Sequence, residues 1–249
     1  MLNDLVAGRR AATIQDAIDI MTGLDRGLPD ADGVKWFNRL YLQVTRAVLD
    51  EVTTTTFRDP AFLATLDVVF ANLYFDAVAA GAFDPARVPA AWRPLFECRH
   101  RRGIRRLQFA LAGMNAHINR DLPEGIVATY RATDGAPAEG SARHHDFDKV
   151  NDLLEAVEAG IKGEFSTGLV MVVDEVCGDA DDAVAMWKVR AARAAAWTNA
   201  QVLWALEPTP RLRTAFFSRL DSLTGFAGRG LLIPTAPLTE RNRGIHADN

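Results

Sequence analysis

The segment GMNAHINRDLP, residues 113–123, gathers the residue types of this chain best suited to chemistry. His117 and Asp121 stand four positions apart, so on an α-helix they share one side with Ala110, Gly113 and Met114. An imidazole and a carboxylate that converge over one turn can share a divalent metal, or can work as an acid/base dyad. The plainer alternative is that Asp121 only hydrogen-bonds His117, or caps the next helix at Leu122-Pro123. Asn115 and Asn119 form a second i, i+4 pair on nearly the opposite face.

Three further groups could complete a site. RHHDFDKVND, residues 143–152, offers His144, His145, Asp146, Asp148, Asn151 and Asp152 at the start of a helix. Acids there also serve simply as caps and as partners of the helix dipole. In DVVFANLYFDA, Asn72 and Asp76 are again four apart, with Asp67 on a broadly shared side. Polar groups in so apolar a helix need partners, so a buried hydrogen-bond network is the competing reading. Arg190, Arg193, Trp197, Gln201 and Trp204 lie within about a quarter of a helix circumference. Arg beside Trp can stack and hold a carboxylate or phosphate, although two core tryptophans beside solvated arginines would show the same pattern.

The elements that must position these groups read as helices. Thr13 is a candidate N-cap for a helix to Leu28 with Ile14, Ala17, Ile18, Met21 and Leu24 at helical spacing. Asp32 caps a second, about Gly33 to Val52, and Asp59-Pro60 opens a third to about Ala80. Pro85, Pro89 and Pro94 break the next stretch into short turns around Trp92. Helical pattern returns from Gly103 to Asp121, where Pro123 ends or restarts it. Residues 131–145 read as a surface loop or lid. Helices are expected at about Asp146 to Val176, Ala180 to Leu206 and Leu212 to Phe226. The only strand candidates are Leu169 to Val173 and Thr53 to Phe57. The expected fold is all-α, one domain of about eight or nine helices spanning 1–249. Its N-terminus, about 1–12, is expected to be mobile, and its C-terminal tail, about 235–249, extended.

Composition narrows the function classes. The chain has 249 residues, 49% hydrophobic and 24% charged, enough apolar side chain for a sizeable core. Its 28 basic and 32 acidic residues give a net charge of −4, which disfavours nucleic acid and anionic membranes as partners. The start lacks the apolar stretch of a secretory signal and no apolar run of 18 residues occurs, so a cytoplasmic location and no membrane partner are expected. Cys98 and Cys177 alone give no disulfide framework. With no G-x-G-x-x-G, G-x-x-x-x-G-K-[ST] or G-x-S-x-G motif, a nucleotide cofactor and a serine-hydrolase elbow are not expected.

LDVVFANLYFDAV, LQFALAGMNAHINRDLP, HHDFDKVNDLL, AAWTNAQVLWAL and GFAGRGLLIP resemble an uncharacterised bacterial family, a domain of unknown function. The resemblance runs from about Ile14 to Pro234, and MNAHINRDLP is its most specific run. It implies a unified fold rather than an activity. It draws attention to Asp67, Asn72, Asp76, Asn115, His117, Asp121, Asp148, Arg193 and Trp197. In the family's pattern an acid often follows the arginine matched by Arg193. Here that position is Ala194, which points to altered chemistry if the acid is a ligand or base. A narrower similarity, confined to H-x-x-x-D on a helix, links the chain to helical zinc-dependent phosphodiesterases, but the further histidines of such sites are missing.

These readings give an enzyme acting on a small organic molecule in a pocket between helices. The leading expectation is hydrolysis assisted by one divalent metal (Zn, Mn or Fe) on His117, Asp121 and Asp148, with Asp76 and Asn115 also in the catalytic set. Arg193, Trp197, Asn72 and Tyr74 would bind substrate. The alternative is a metal-free lyase, cyclase or isomerase of specialised metabolism using a His117–Asp121 dyad. A third reading is a non-catalytic helical ligand-binding protein. The sequence does not indicate an oligomeric state.

Overall fold

In the computed structural model, residues 5–6, 8–53, 57–165 and 189–235 are described, and every regular element among them is helical. The α-helices are α1 (Ile14–Gly27), α2 (Gly33–Val52), α3 (Pro60–Phe83), α4 (Arg93–Cys98), α5 (Arg106–Ala116), α6 (Leu122–Ala132), α7 (Ala142–Phe165), α8 (Val189–Ala205) and α9 (Pro210–Leu231). A five-residue π-helical turn, His117–Asp121, joins α5 to α6, and Pro85–Arg87 forms a 3₁₀ turn.

The caps explain the first boundaries. Thr13 accepts from the Asp16 N–H and Asp16 reaches back to the Thr13 N–H, a reciprocal capping box. Asp32 accepts from Val34 N–H at the start of α2, and Asp59 from Phe62 N–H at the start of α3, where Pro60 loses no intrahelical bond. Asp32 is also held by the Arg99 guanidinium, which ties the entry of α2 to the end of α4.

Helix α2 packs on α1 and α5, α3 on α6, α8 on α6, and α9 on α5. Two apolar clusters result. One centres on Met21, Phe37, Tyr74, Trp92 and Leu95, the other on Phe62, Leu122, Ile126, Phe147 and Trp197. Phe70 packs against both. Helix α3 is long and apolar enough to cross a membrane, yet here it packs against other helices of the fold and contributes to both clusters.

Several boundaries differ from expectation. Helix α3 continues to Phe83, with Gly81 against the Phe96 ring and Ala82 packed on the first cluster. The loop is shorter than 131–145: α6 runs to Ala132 and α7 begins at Ala142, after Ser141 accepts from the His144 N–H. Helix α9 covers Pro210–Leu231 rather than Leu212 to Phe226. Near the N-terminus, Val6 and Ala11 are buried, and the Asn72 side-chain amide bonds both the N–H and the C=O of Ala11. The expected helical stretches at 166–176 and 180–188, the strand candidate Leu169 to Val173, Cys177 and the tail beyond 235 lie outside the described residues.

Candidate functional site

Pro123 shapes the centre of the molecule. It has no N–H to donate, and in a continuous α-helix its ring would collide with the carbonyl four residues earlier, that of Asn119. The chain answers by widening one turn: the Leu122 N–H bonds the His117 carbonyl, five residues back. Such π turns recur at functional sites. This one carries His117 and Asp121 at its two ends, with His117 Nδ1 and Asp121 Oδ2 3.0 Å apart.

Asp121 is fully buried and accepts from three sides. The Trp92 indole N–H donates to Oδ2 at 2.9 Å, and Arg120 Nη1 donates to Oδ1 at 2.6 Å. With indole and guanidinium committed as donors, His117 is a third donor through Nδ1–H. That fixes its tautomer and leaves the Nε2 lone pair free. His117 Nε2 is buried and has no hydrogen-bond partner. Burial pushes the imidazole below its ordinary value and outweighs the contrary pull of Asp121, so the ring is neutral at physiological pH.

Aromatic rings enclose this imidazole. Phe70 lies flat on it, with ring centroids 3.5 Å apart and planes 5° from parallel. Tyr41 at 4.6 Å, Phe37 at 5.6 Å, Trp92 at 5.9 Å and Tyr74 at 6.1 Å complete the box. Trp92 is placed from α9: Asp221 accepts from the Ala90 and Ala91 N–H groups, and Gly225, one turn on, lets α9 sit against the Ala90 carbonyl. Beside the box, Tyr41 Oη, Thr45 Oγ1 and Asp67 Oδ2 are buried and lack hydrogen bonds of ordinary geometry. Desolvation alone raises the Asp67 carboxyl to about 7, and burial together with the Asp67 charge lifts the Tyr41 hydroxyl well above its usual range.

The other residues singled out from the sequence lie elsewhere. Asp148 pairs with His144 at 3.7 Å, on α7. The set His117, Asp121 and Asp148 is thus not assembled, and no group of three or more His, Cys, Asp or Glu fit for a metal occurs among the described residues. The sequence offered no way to see that α7 carries Asp148 towards α8 rather than towards the π turn. Asn72 is the clamp on Ala11, and Asp76 is half exposed, facing Arg10 at 3.4 Å. Asn115 donates to the Thr224 carbonyl and accepts from Asn119, bracing α5 on α9. Arg193 donates to Asn151 and to the Phe147 carbonyl and stacks over the Phe147 ring, so its charge is spent inside the fold. Trp197 packs between Phe147, His144 and Tyr130 in the second cluster. Of the proposed substrate contacts, only Tyr74 borders His117, and its hydroxyl donates to Asn38.

Sequence reading missed Trp92 and Arg120 as partners of Asp121, and Tyr41, Phe37 and Phe70 as walls. Arg120 adjoins Asp121 in the chain, which was a usable signal. Trp92 lies 29 residues away, and no periodicity links the two.

The arrangement defines an all-helical protein with a buried, carboxylate-oriented histidine set in aromatic rings. The chain belongs to a family of unknown function (DUF5995), which it matches over residues 14–234. No curated protein and no solved structure matches it.

Proposed function

We propose that the chain is an enzyme moving protons on a small organic molecule through a metal-free His117–Asp121 dyad, with His117 Nε2 as general base. The observation that carries this reading is the unpaired, buried Nε2 on a ring whose other nitrogen is fixed by Asp121. A base needs its lone pair free, its tautomer set and its proton affinity near working pH. Asp121 supplies orientation and stabilises the imidazolium that forms, while Trp92 and Arg120 hold Asp121 in place. The lyase or isomerase classes fit this better than metal-assisted hydrolysis. A metal would need a third ligand beside His117 and Asp121, whereas Asp148 faces His144, and both Asp121 oxygens already accept strong donors.

The test is turnover of a metabolite extract followed by mass spectrometry, with and without chelator, using the wild-type chain, His117→Gln and Asp121→Asn. A compound consumed by wild type in the presence of chelator, and at least about 100-fold more slowly by either variant, supports the dyad. Consumption that stops with chelator and returns with zinc, manganese or iron supports the hydrolase instead. Equal consumption by wild type and His117→Gln removes His117 from the chemistry.

A further inference from the structure

The described residues contain eight buried side-chain polar atoms without a hydrogen bond of ordinary geometry, and half of them belong to one neighbourhood: Tyr41 Oη and Thr45 Oγ1, which interact with each other, and Asp67 Oδ2 and His117 Nε2. The Tyr41 ring lies 4.6 Å from His117, and its hydroxyl is sensitive to both Asp67 and Asp121. Native interiors leave few such atoms unpaired, and each costs about 1–3 kcal/mol, so Asp67 Oδ2 on α3 and His117 Nε2 in the π turn call for a polar guest. Asp67 precedes Phe70 and Ala71 by one turn and Tyr74 by two, which puts it on the face of α3 whose rings wall the site.

We infer that Asp67 is the second proton-carrying group of this site, and that the site enolises a small uncharged carbonyl compound between Asp67 and His117. This rests on His117 being the base of the proposed dyad. Asp67 is 8% exposed, and no cation among the described residues offsets its burial. Tyr41 on α2 is coupled electrostatically to Asp67, Asp121 and Tyr74 and interacts with Thr45. With its carboxyl raised to about 7, Asp67 holds a proton in about half of the molecules at neutral pH and can donate it, while His117 Nε2 is an acceptor. The pair has the complementary states that acid/base catalysis needs.

The walls restrict the guest. Phe37, Tyr41, Phe70, Tyr74 and Trp92 surround the imidazole, and the guanidinium beside it, on Arg120, is engaged by Asp121 and lies 3.6 Å from Asp221. An anionic substrate would enter an aromatic, desolvated space with no uncommitted cation to meet it. A neutral ketone or aldehyde has no such cost.

In the reaction, Nε2 takes a proton from the carbon next to the carbonyl, and that C–H electron pair becomes the new C=C bond. The carbonyl oxygen takes the Asp67 proton and becomes the enol hydroxyl. Imidazolium and carboxylate remain, opposite in charge and equal in number. The reverse transfer, to the same carbon or to a conjugated one, restores both groups, so no co-reactant is consumed.

The experiment follows C–H to C–D exchange in D₂O by NMR, with acetophenone as the neutral probe and 4-acetylbenzoate as its anionic counterpart. Wild type should exchange acetophenone at least about 100-fold faster than buffer and leave 4-acetylbenzoate at the buffer rate. Asp67→Asn should lose most of that acceleration and also lose the fall in rate on the alkaline side of pH 7. Exchange unchanged in Asp67→Asn but abolished in His117→Gln would overturn the role of Asp67 and leave the base standing. Exchange unchanged in His117→Gln would overturn the base itself. Equal exchange of both probes, or of neither, would overturn the substrate class. Should Asp67→Asn not fold, carbon-13 NMR of Asp67 in the wild-type chain decides. Its titration midpoint should move up when acetophenone is added, and an unmoved midpoint would overturn the inference.

Discussion

Asp67 and His117 carry opposite liabilities, and both are readable as stability. The Asp67 carboxyl rises from 3.8 to about 7 on folding, so its contribution is fully present below pH 4 and is lost as pH rises through 7, a loss of about 4 kcal/mol. Urea unfolding should therefore show Asp67→Asn gaining stability over wild type at pH 8 and little at pH 4. An equal effect at both would mean that the carboxylate is solvated. The His117 imidazole is lowered by burial, so its contribution is present above pH 6.5 and is lost as pH falls. His117→Gln should flatten that acid limb of the stability curve. Strongly perturbed groups of this kind cluster at functional sites, although structural networks perturb them too. At this scale the His117–Asp121 pair was legible because four-residue spacing survives in the local chain. Asn115, Arg193 and Asn72 looked alike in the sequence but proved to be braces, since their partners, Thr224, Asn151 and Ala11, come from other elements.

At the scale of elements, the π turn and the seat of Trp92 decide whether the pair is held. The sequence located a break at Pro123, but a wide turn and a helix restart look identical until the i→i−5 bond is seen. The Trp92 seat depends on α9. A Cβ at Gly225 would stand 2.3 Å from the Ala90 carbonyl oxygen, which is backbone and cannot swing aside. Gly225→Ala should thus cost about 1–3 kcal/mol in thermal or urea unfolding. Trp92→Phe keeps the ring but deletes the indole donor to Asp121, and should cost about 1.5–3 kcal/mol as a lost bond to a charged group. If the Phe variant matched wild type, the indole–carboxylate bond would be shown unimportant. Helix caps at Thr13, Asp32 and Asp59 were legible because each acts within three residues.

Across the whole molecule, two apolar clusters meet where Phe70 covers the His117 imidazole. Phe70 is only partly buried, and is the most exposed of the rings around His117. Phe70→Ala should raise solvent access to His117, read as faster modification by diethylpyrocarbonate, with unchanged helical circular dichroism. Equal modification rates would place the entrance elsewhere. The all-α architecture was legible from apolar spacing and caps. Which helices meet was not, because contacts such as α2 on α5 or α9 on α5 join segments far apart in sequence. The assembly of the site followed the same rule: its local half was visible and its Trp92, Tyr41 and Phe37 half was not.

The proposed chemistry needs a neutral His117 with Nδ1–H bound to Asp121 and a free Nε2. Nitrogen-15 NMR of the five histidines between pH 4 and 8, with His117→Gln for assignment, tests it most directly. The expected result is an unprotonated Nε2, a protonated Nδ1, and a titration midpoint below 6.5. An imidazolium at pH 7, or a ring carrying its proton on Nε2, would contradict it.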